Sequence, residues 1–90
     1  MDFRQASDRL MEAGVTLPEI AEALGAAYTT VRAWRLDPGS ASFRAPPPGW
    51  EPKLARLARK RASTLQQLAD QLERRAEGAA GKRARTAGGA

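Results

Sequence analysis

Apolar and small residues recur at intervals of three and four in four parts of the chain, and this spacing predicts four α-helices, each with one buried face. The four parts are residues 3–13, 17–24, 28–36 and 53–77. Strands are disfavoured because only Val15, Ile20 and Val31 are both β-branched and apolar, whereas alanine and leucine supply most of the apolar content. The pattern therefore predicts an all-α fold.

The ends of the first three predicted helices carry sequence signals. Asp2 is placed to cap the first helix. Residues 16–19 read Thr-Leu-Pro-Glu, which is typical of a capping box with proline inside the first turn of a helix. Gly25 ends the second helix, and the Asp-Pro-Gly sequence at 37–39 ends the third.

These signals divide the chain into segments. We predict a three-helix domain, a Pro-rich connector, a long helix and a disordered basic tail, at residues 1–37, 38–52, 53–77 and 78–90. The connector contains two bulky aromatic residues, Phe43 and Trp50, on either side of three prolines. We expect both to pack against the three-helix domain, so that the connector is ordered.

Composition excludes several classes of chemistry. The chain has no cysteine and no histidine, so disulfides, thiolate or imidazole metal sites and the common nucleophilic triads are excluded. We therefore expect no metal, no cofactor and no enzymatic activity. No apolar run is long enough for a membrane span or a signal-peptide core, which favours a cytoplasmic protein.

The charge is distributed unevenly along the chain. Residues 1–51 hold five Lys/Arg and seven Asp/Glu, whereas residues 52–90 hold ten and three. A cationic second half favours an anionic partner, either a nucleic acid or a membrane surface. The long helix lacks the aromatic enrichment of a membrane-surface helix, so the nucleic acid is preferred and the protein is expected to be nucleoid-associated.

Residues 17–36 follow a pattern in which particular positions need particular residue types for two helices to pack together. A small residue allows two helices to cross closely, a glycine tolerates a positive φ in a short turn, and apolar residues form the buried faces. The residues in these roles are Ala21, Gly25, Ile20, Leu24, Val31 and Trp34. In this arrangement the chain resembles the helix-turn-helix of phage-repressor and Cro-type DNA-binding proteins. Ala27 and Tyr28 stand where such motifs often carry a capping Ser or Thr, and a cap at Thr29 would start the third helix a residue later.

The resemblance implies that the helix at 28–36 lies in the major groove of double-stranded DNA. Its outward residues are then candidate DNA contacts: Ala27, Tyr28, Thr29, Arg32 and Ala33. Arg32 is the candidate for direct readout of guanine, because a guanidinium bonds O6 and N7 together. Arg35 is expected to contact a phosphate or nothing, and Thr16 and Pro18 open a helix whose N-terminus favours a phosphate.

The long helix carries two further predicted surfaces. Leu65, Leu68 and Leu72 lie too far along it to be covered by the small domain, so we expect them to pair with a second copy of the chain. Lys53, Arg56 and Lys60 are expected to meet phosphates that flank the bound duplex. The expected function is sequence-specific DNA binding by a homodimer, as a small transcriptional regulator that acts as a repressor or an activator. Two alternatives stay open: an antitoxin-like or accessory DNA-binding subunit whose long helix binds a partner protein, and an interaction adaptor without nucleic acid.

Overall fold

The computed structural model describes the backbone of residues 1–89 and the side chains of residues 1–79. Within these residues the chain is all helical and contains no strand, as the hydrophobic pattern predicts. The helices are α1 (Phe3–Glu12), α2 (Leu17–Leu24), α3 (Tyr28–Trp34) and α4 (Trp50–Gly89). The chain divides into two compact units, the first being Met1–Arg59 and the second beginning at Lys60.

Capping boxes fix the starts of α1 and α2. At α1 the Gln5 N–H donates to Asp2 Oδ1 (2.8 Å), and the Asp2 N–H donates to Gln5 Oε1 (3.0 Å). At α2 the Glu19 N–H donates to Thr16 Oγ1 (3.3 Å), and the Thr16 N–H donates to a Glu19 carboxylate oxygen (2.7 Å). Each pair satisfies donors that a helix N-terminus otherwise leaves without an intrahelical acceptor.

A three-residue connection, 25–27, joins α2 to α3. Gly25 has φ +66°, in the left-handed region, and its N–H donates back to the Glu22 carbonyl. A residue with a Cβ is strained at this φ, which explains why glycine occupies position 25. The next N–H, that of Ala26, donates to the Ala21 carbonyl (3.0 Å). Both bonds return to the last turn of α2, so the chain leaves that helix in a fixed direction.

The core of the first unit is built by all four helices. Its buried apolar residues are Phe3, Val15, Ile20, Ala21, Leu24, Val31, Trp34 and Leu54. Aromatic rings meet edge to face at its centre: the ring centroids of Phe3 and Trp34 lie 5.6 Å apart, and those of Phe3 and Trp50 lie 5.3 Å apart. Trp34 is therefore a core residue, and Trp50 packs on the domain as predicted.

The third and fourth helices have ends that differ from the predicted ones by more than one residue. The third helix ends at Trp34 rather than at residue 36, because the Arg35 and Leu36 N–H groups donate to the Arg32 and Ala33 carbonyls in a tighter turn. The fourth begins at Trp50, directly after Gly49 at φ +86°, and continues to Gly89. Residues 78–89, predicted to be a disordered tail, belong to this helix, and alanine, the best helix former, is frequent there. The side chains of residues 80–90 lie outside the described part.

Candidate nucleic-acid interface

Helix α3 has one buried face and one exposed face. Val31 and Trp34 point into the core, at 0 % and 8 % exposure. The opposite face carries a shallow depression lined by Thr29, Arg32, Ala33, Leu36 and Ser42. Four of these five residues are exposed and Ala33 is half-buried, so three of the predicted contact residues, Thr29, Arg32 and Ala33, share one open surface.

Two of the predicted contact residues interact with each other on that surface. The guanidinium carbon of Arg32 lies 5.9 Å from the centroid of the Tyr28 ring, one helical turn earlier, in cation–π geometry. Tyr28 is 46 % exposed, which is high for so large an aromatic side chain in a small domain. Arg32 is itself exposed, so its guanidinium lies at the surface beside the ring.

The start of α3 is settled by backbone geometry rather than by a side-chain cap. The N-cap residue is Ala27, with φ −69° and ψ 149°, and no side chain accepts from the first N–H groups. The alternative cap at Thr29 is therefore wrong, because Thr29 already lies inside the helix. Ala27, Tyr28 and Thr29 are all exposed at this end. The first turn of α3 thus offers short or hydroxyl-bearing side chains to the outside.

Arg35 is directed away from this surface, although it lies only three positions after Arg32. Its Nη1 donates to Ser7 Oγ (2.7 Å), and its Nη2 lies 2.8 Å from Asp8 Oδ1. Ser7 is fully buried, and its hydroxyl donates in turn to the Arg4 carbonyl (3.0 Å). The contact of Arg35 with Ser7 and Asp8, here called the α1–α3 polar contact, joins α3 to α1. The Arg35 guanidinium, which is expected from the sequence to contact a phosphate or nothing, therefore bonds to groups of the protein itself.

Sequence reasoning did not find the α1–α3 polar contact, because its partners are 28 residues apart. One signal was present: Ser7 occupies a position in the apolar stripe of α1, where a hydroxyl must find a partner. The structure supplies that partner from the end of α3. Among side chains that are not exposed, no buried nitrogen or oxygen lacks a hydrogen-bond partner in the described residues.

The start of α2 is a poorer phosphate site than expected. Thr16 is exposed, but its hydroxyl and its N–H are both engaged by Glu19 in the capping box. Pro18 has no N–H to offer. A phosphate would also approach the Glu19 carboxylate, and like charges repel.

The three cationic residues of α4 that are predicted to meet phosphates lie at the surface. Lys53, Arg56 and Lys60 are exposed and follow one another at intervals of three and four along the helix. Lys53 and Arg56 belong to the first unit and Lys60 to the second. On the same helix, Leu54 is buried in the core and Leu57 packs against it.

In the second unit the three predicted dimerisation residues are exposed. Leu65, Leu68 and Leu72 show 51 %, 48 % and 56 % of their surface. A stripe of exposed leucines on one helix is usually covered by another protein surface, because burial of each apolar side chain is favourable.

Among the described residues, no group of three or more acidic side chains is placed to hold a metal ion. None of the helices, over the same residues, combines the length and apolarity needed to cross a bilayer. No protein family, curated protein or solved structure matches the chain.

Proposed function

We propose that this protein binds double-stranded DNA in a sequence-specific manner, with α3 in the major groove, and that it acts as a homodimer in transcriptional regulation. The observation that carries the proposal is the division of α3 into two faces. Val31 and Trp34 anchor it in the core, while Tyr28, Thr29 and Arg32 stand on the open side. A short helix held firmly and presenting an arginine is suited to reading base edges.

The distribution of charge supports the same proposal. Most of the cationic residues lie after residue 52, and Lys53, Arg56 and Lys60 are exposed on α4. Phosphate contacts supply affinity without sequence information, whereas groove contacts supply specificity. We assign the first role to these three residues and the second to α3. Arg35 is left out of both, because its guanidinium bonds Ser7 and Asp8.

The homodimer is proposed from the exposed leucines of the second unit. Leu65, Leu68 and Leu72 form a stripe that a second copy of the same helix covers by symmetry, and two-fold dimers match the two-fold symmetry of many DNA sites. If the wild-type chain were monomeric at high concentration, the stripe would instead favour the accessory-subunit alternative, in which a different protein covers it.

The test of DNA binding is a selection of bound sequences from a random duplex pool, performed with wild type and with Arg32→Ala. Wild type is expected to select a site with two related halves. Arg32→Ala is expected to bind that site about 1–3 kcal/mol more weakly and to lose base preference at one position in each half.

Two control variants sharpen this experiment. Arg32→Lys keeps the charge but not the planar fork, so it is expected to lose the same base preference while retaining most non-specific affinity. Arg4→Ala removes an exposed arginine of α1 and is expected to leave the selected sequence unchanged. An unchanged base preference in Arg32→Ala would show that this face of α3 does not read bases.

A further inference from the structure

The exposed face of the second unit has a regular alternation of small and large residues. Alanine recurs every seventh position at Ala62, Ala69 and Ala76, and Leu65 and Leu72 stand between these alanines. Steps of three and four along the whole series give a strict seven-residue repeat. A repeat of this period keeps one seam of a helix facing a partner helix along its length, as in a coiled coil.

The direction of the partner decides which residues meet in that seam. A parallel partner places identical residues opposite each other, so that layers of two alanines alternate with layers of two leucines. The leucine layers then hold the two helices apart, so the alanine layers leave gaps between the helices. Such gaps lower the stability of the dimer. An antiparallel partner places Ala62 opposite the partner's Leu72 and Leu65 opposite the partner's Ala69. Every layer then contains one small and one large side chain, and the two helices approach evenly.

The charges beside the seam favour the same direction. All three acidic residues of the second unit's described part lie in its later turns: Asp70, Glu73 and Glu77. Its first turns hold Lys60 and Arg61 and no acid. Arg74 and Arg75 share these later turns, so residues 70–79 carry a net charge of −1, against +2 for residues 60–69. An antiparallel partner therefore brings the cationic end of one helix beside the weakly acidic end of the other, whereas a parallel partner brings like ends together.

One heptad position shows this complementarity in detail. Gln66 and Glu73 come directly after Leu65 and Leu72 of the seam and occupy the same heptad position. One repeat earlier, Arg59 occupies this position. In the antiparallel arrangement Arg59 stands opposite the partner's Glu73. On the other flank Leu68 meets the partner's Leu68, and Arg61 stands opposite the partner's Arg75. Those two arginines extend their apolar stems over the leucines and their charges into water.

We propose that residues 60–79 pair with the same segment of a second copy in antiparallel orientation, centred near Gln67, with each alanine of the seam opposite a leucine. This inference rests on the proposed homodimer and adds its direction and register. It is independent of DNA, because the residues that carry it belong to α4 alone.

Cysteine cross-linking tests the direction, and the natural chain contains no cysteine that would interfere. Two single variants are prepared, Ala62→Cys and Leu72→Cys, one of them with a tag that changes its size. Each is oxidised alone and then in an equimolar mixture, without DNA. In the antiparallel pair, position 62 faces position 72 of the partner, whereas identical positions are about 15 Å apart along the axis, beyond the reach of a disulfide.

The expected result is a disulfide dimer in the mixture and none in either variant alone. Disulfide dimers of each variant alone would overturn the antiparallel orientation and leave the homodimer in place. No disulfide in any sample, with a monomeric wild type by sedimentation, would overturn both. Sedimentation of the reduced variants checks that each still dimerises, and Leu65→Cys with Ala69→Cys probes the adjacent layer if Leu72→Cys does not.

Discussion

The α1–α3 polar contact predicts that Arg35 acts on stability. The informative change is Arg35→Met, which keeps most of the apolar stem and removes the guanidinium. A hydrogen bond from a charged donor to a buried hydroxyl such as Ser7 Oγ contributes about 1.5–3 kcal/mol. The ion pair with Asp8 adds less than about 1 kcal/mol, because the Asp8 side chain is 45 % exposed and water screens it. We expect a loss of about 2 kcal/mol of unfolding free energy, or about 10 °C in Tm.

The measurement is urea unfolding followed by tryptophan fluorescence, since Trp34 and Trp50 both pack against Phe3 in the core. Protein concentration is held fixed because dimer formation contributes to apparent stability. Asp8→Ala is the matched control and is expected to cost less than about 1 kcal/mol. Combining Ser7→Ala with Arg35→Met gives a double-mutant cycle, whose coupling energy is expected to be about 1–2 kcal/mol.

The opposite pattern would refute this reasoning. If Arg35→Met unfolded within about 0.5 kcal/mol of wild type, as an unremarkable surface change does, and bound all DNA sequences more weakly, Arg35 would be a phosphate contact. The contact with Ser7 and Asp8 would then be dispensable for the fold.

Four further changes test other parts of the molecule. Gly25→Ala is expected to cost about 1–2 kcal/mol, because a Cβ there meets no atom within 4 Å and the whole cost is the positive φ; Gly39→Ala is the control. Leu54→Ala, at a site only 4 % exposed, is expected to cost about 2–5 kcal/mol in the same urea assay. Leu68→Lys is expected to give monomers in light scattering, because it sets two like charges against each other beside the seam, where Leu68 meets the partner's Leu68. Replacing Lys53, Arg56 and Lys60 by Gln is expected to flatten the salt dependence of log affinity by about two to three units per chain and to keep base preference.

The parts of the fold that were predictable depend on local signals. Asp2 and Thr16 each cap a helix through residues three positions away, and Gly25 marks a turn by its own φ. Such signals need only a few neighbouring residues to be interpreted. The core was predictable for a related reason: spacing alone puts Val31 and Trp34 on the inner face of α3.

The parts that were not predictable depend on residues distant in sequence. Ser7 and Arg35 meet only because α1 and α3 pack together. The connector likewise meets α3 through residues distant in sequence, since the Arg44 N–H donates to the Ala33 carbonyl (3.3 Å). The spacing of apolar residues along the chain does not indicate which distant residues will contact each other.

Arg32 and Arg35 show how far packing changes the meaning of a sequence pattern. Arg32 lies in the last turn of α3 and Arg35 is its C-cap residue, and the sequence pattern offers both as candidate DNA contacts. In the folded chain Arg32 lies over the exposed Tyr28 ring, whereas Arg35 bonds the buried Ser7 hydroxyl. Loss of Arg35 therefore weakens DNA binding only as far as it lowers the folded fraction, and this deficit should vanish well below the unfolding temperature. Loss of Arg32 should weaken binding at every temperature, so affinity measured across temperature separates the reading residue from the positioning one.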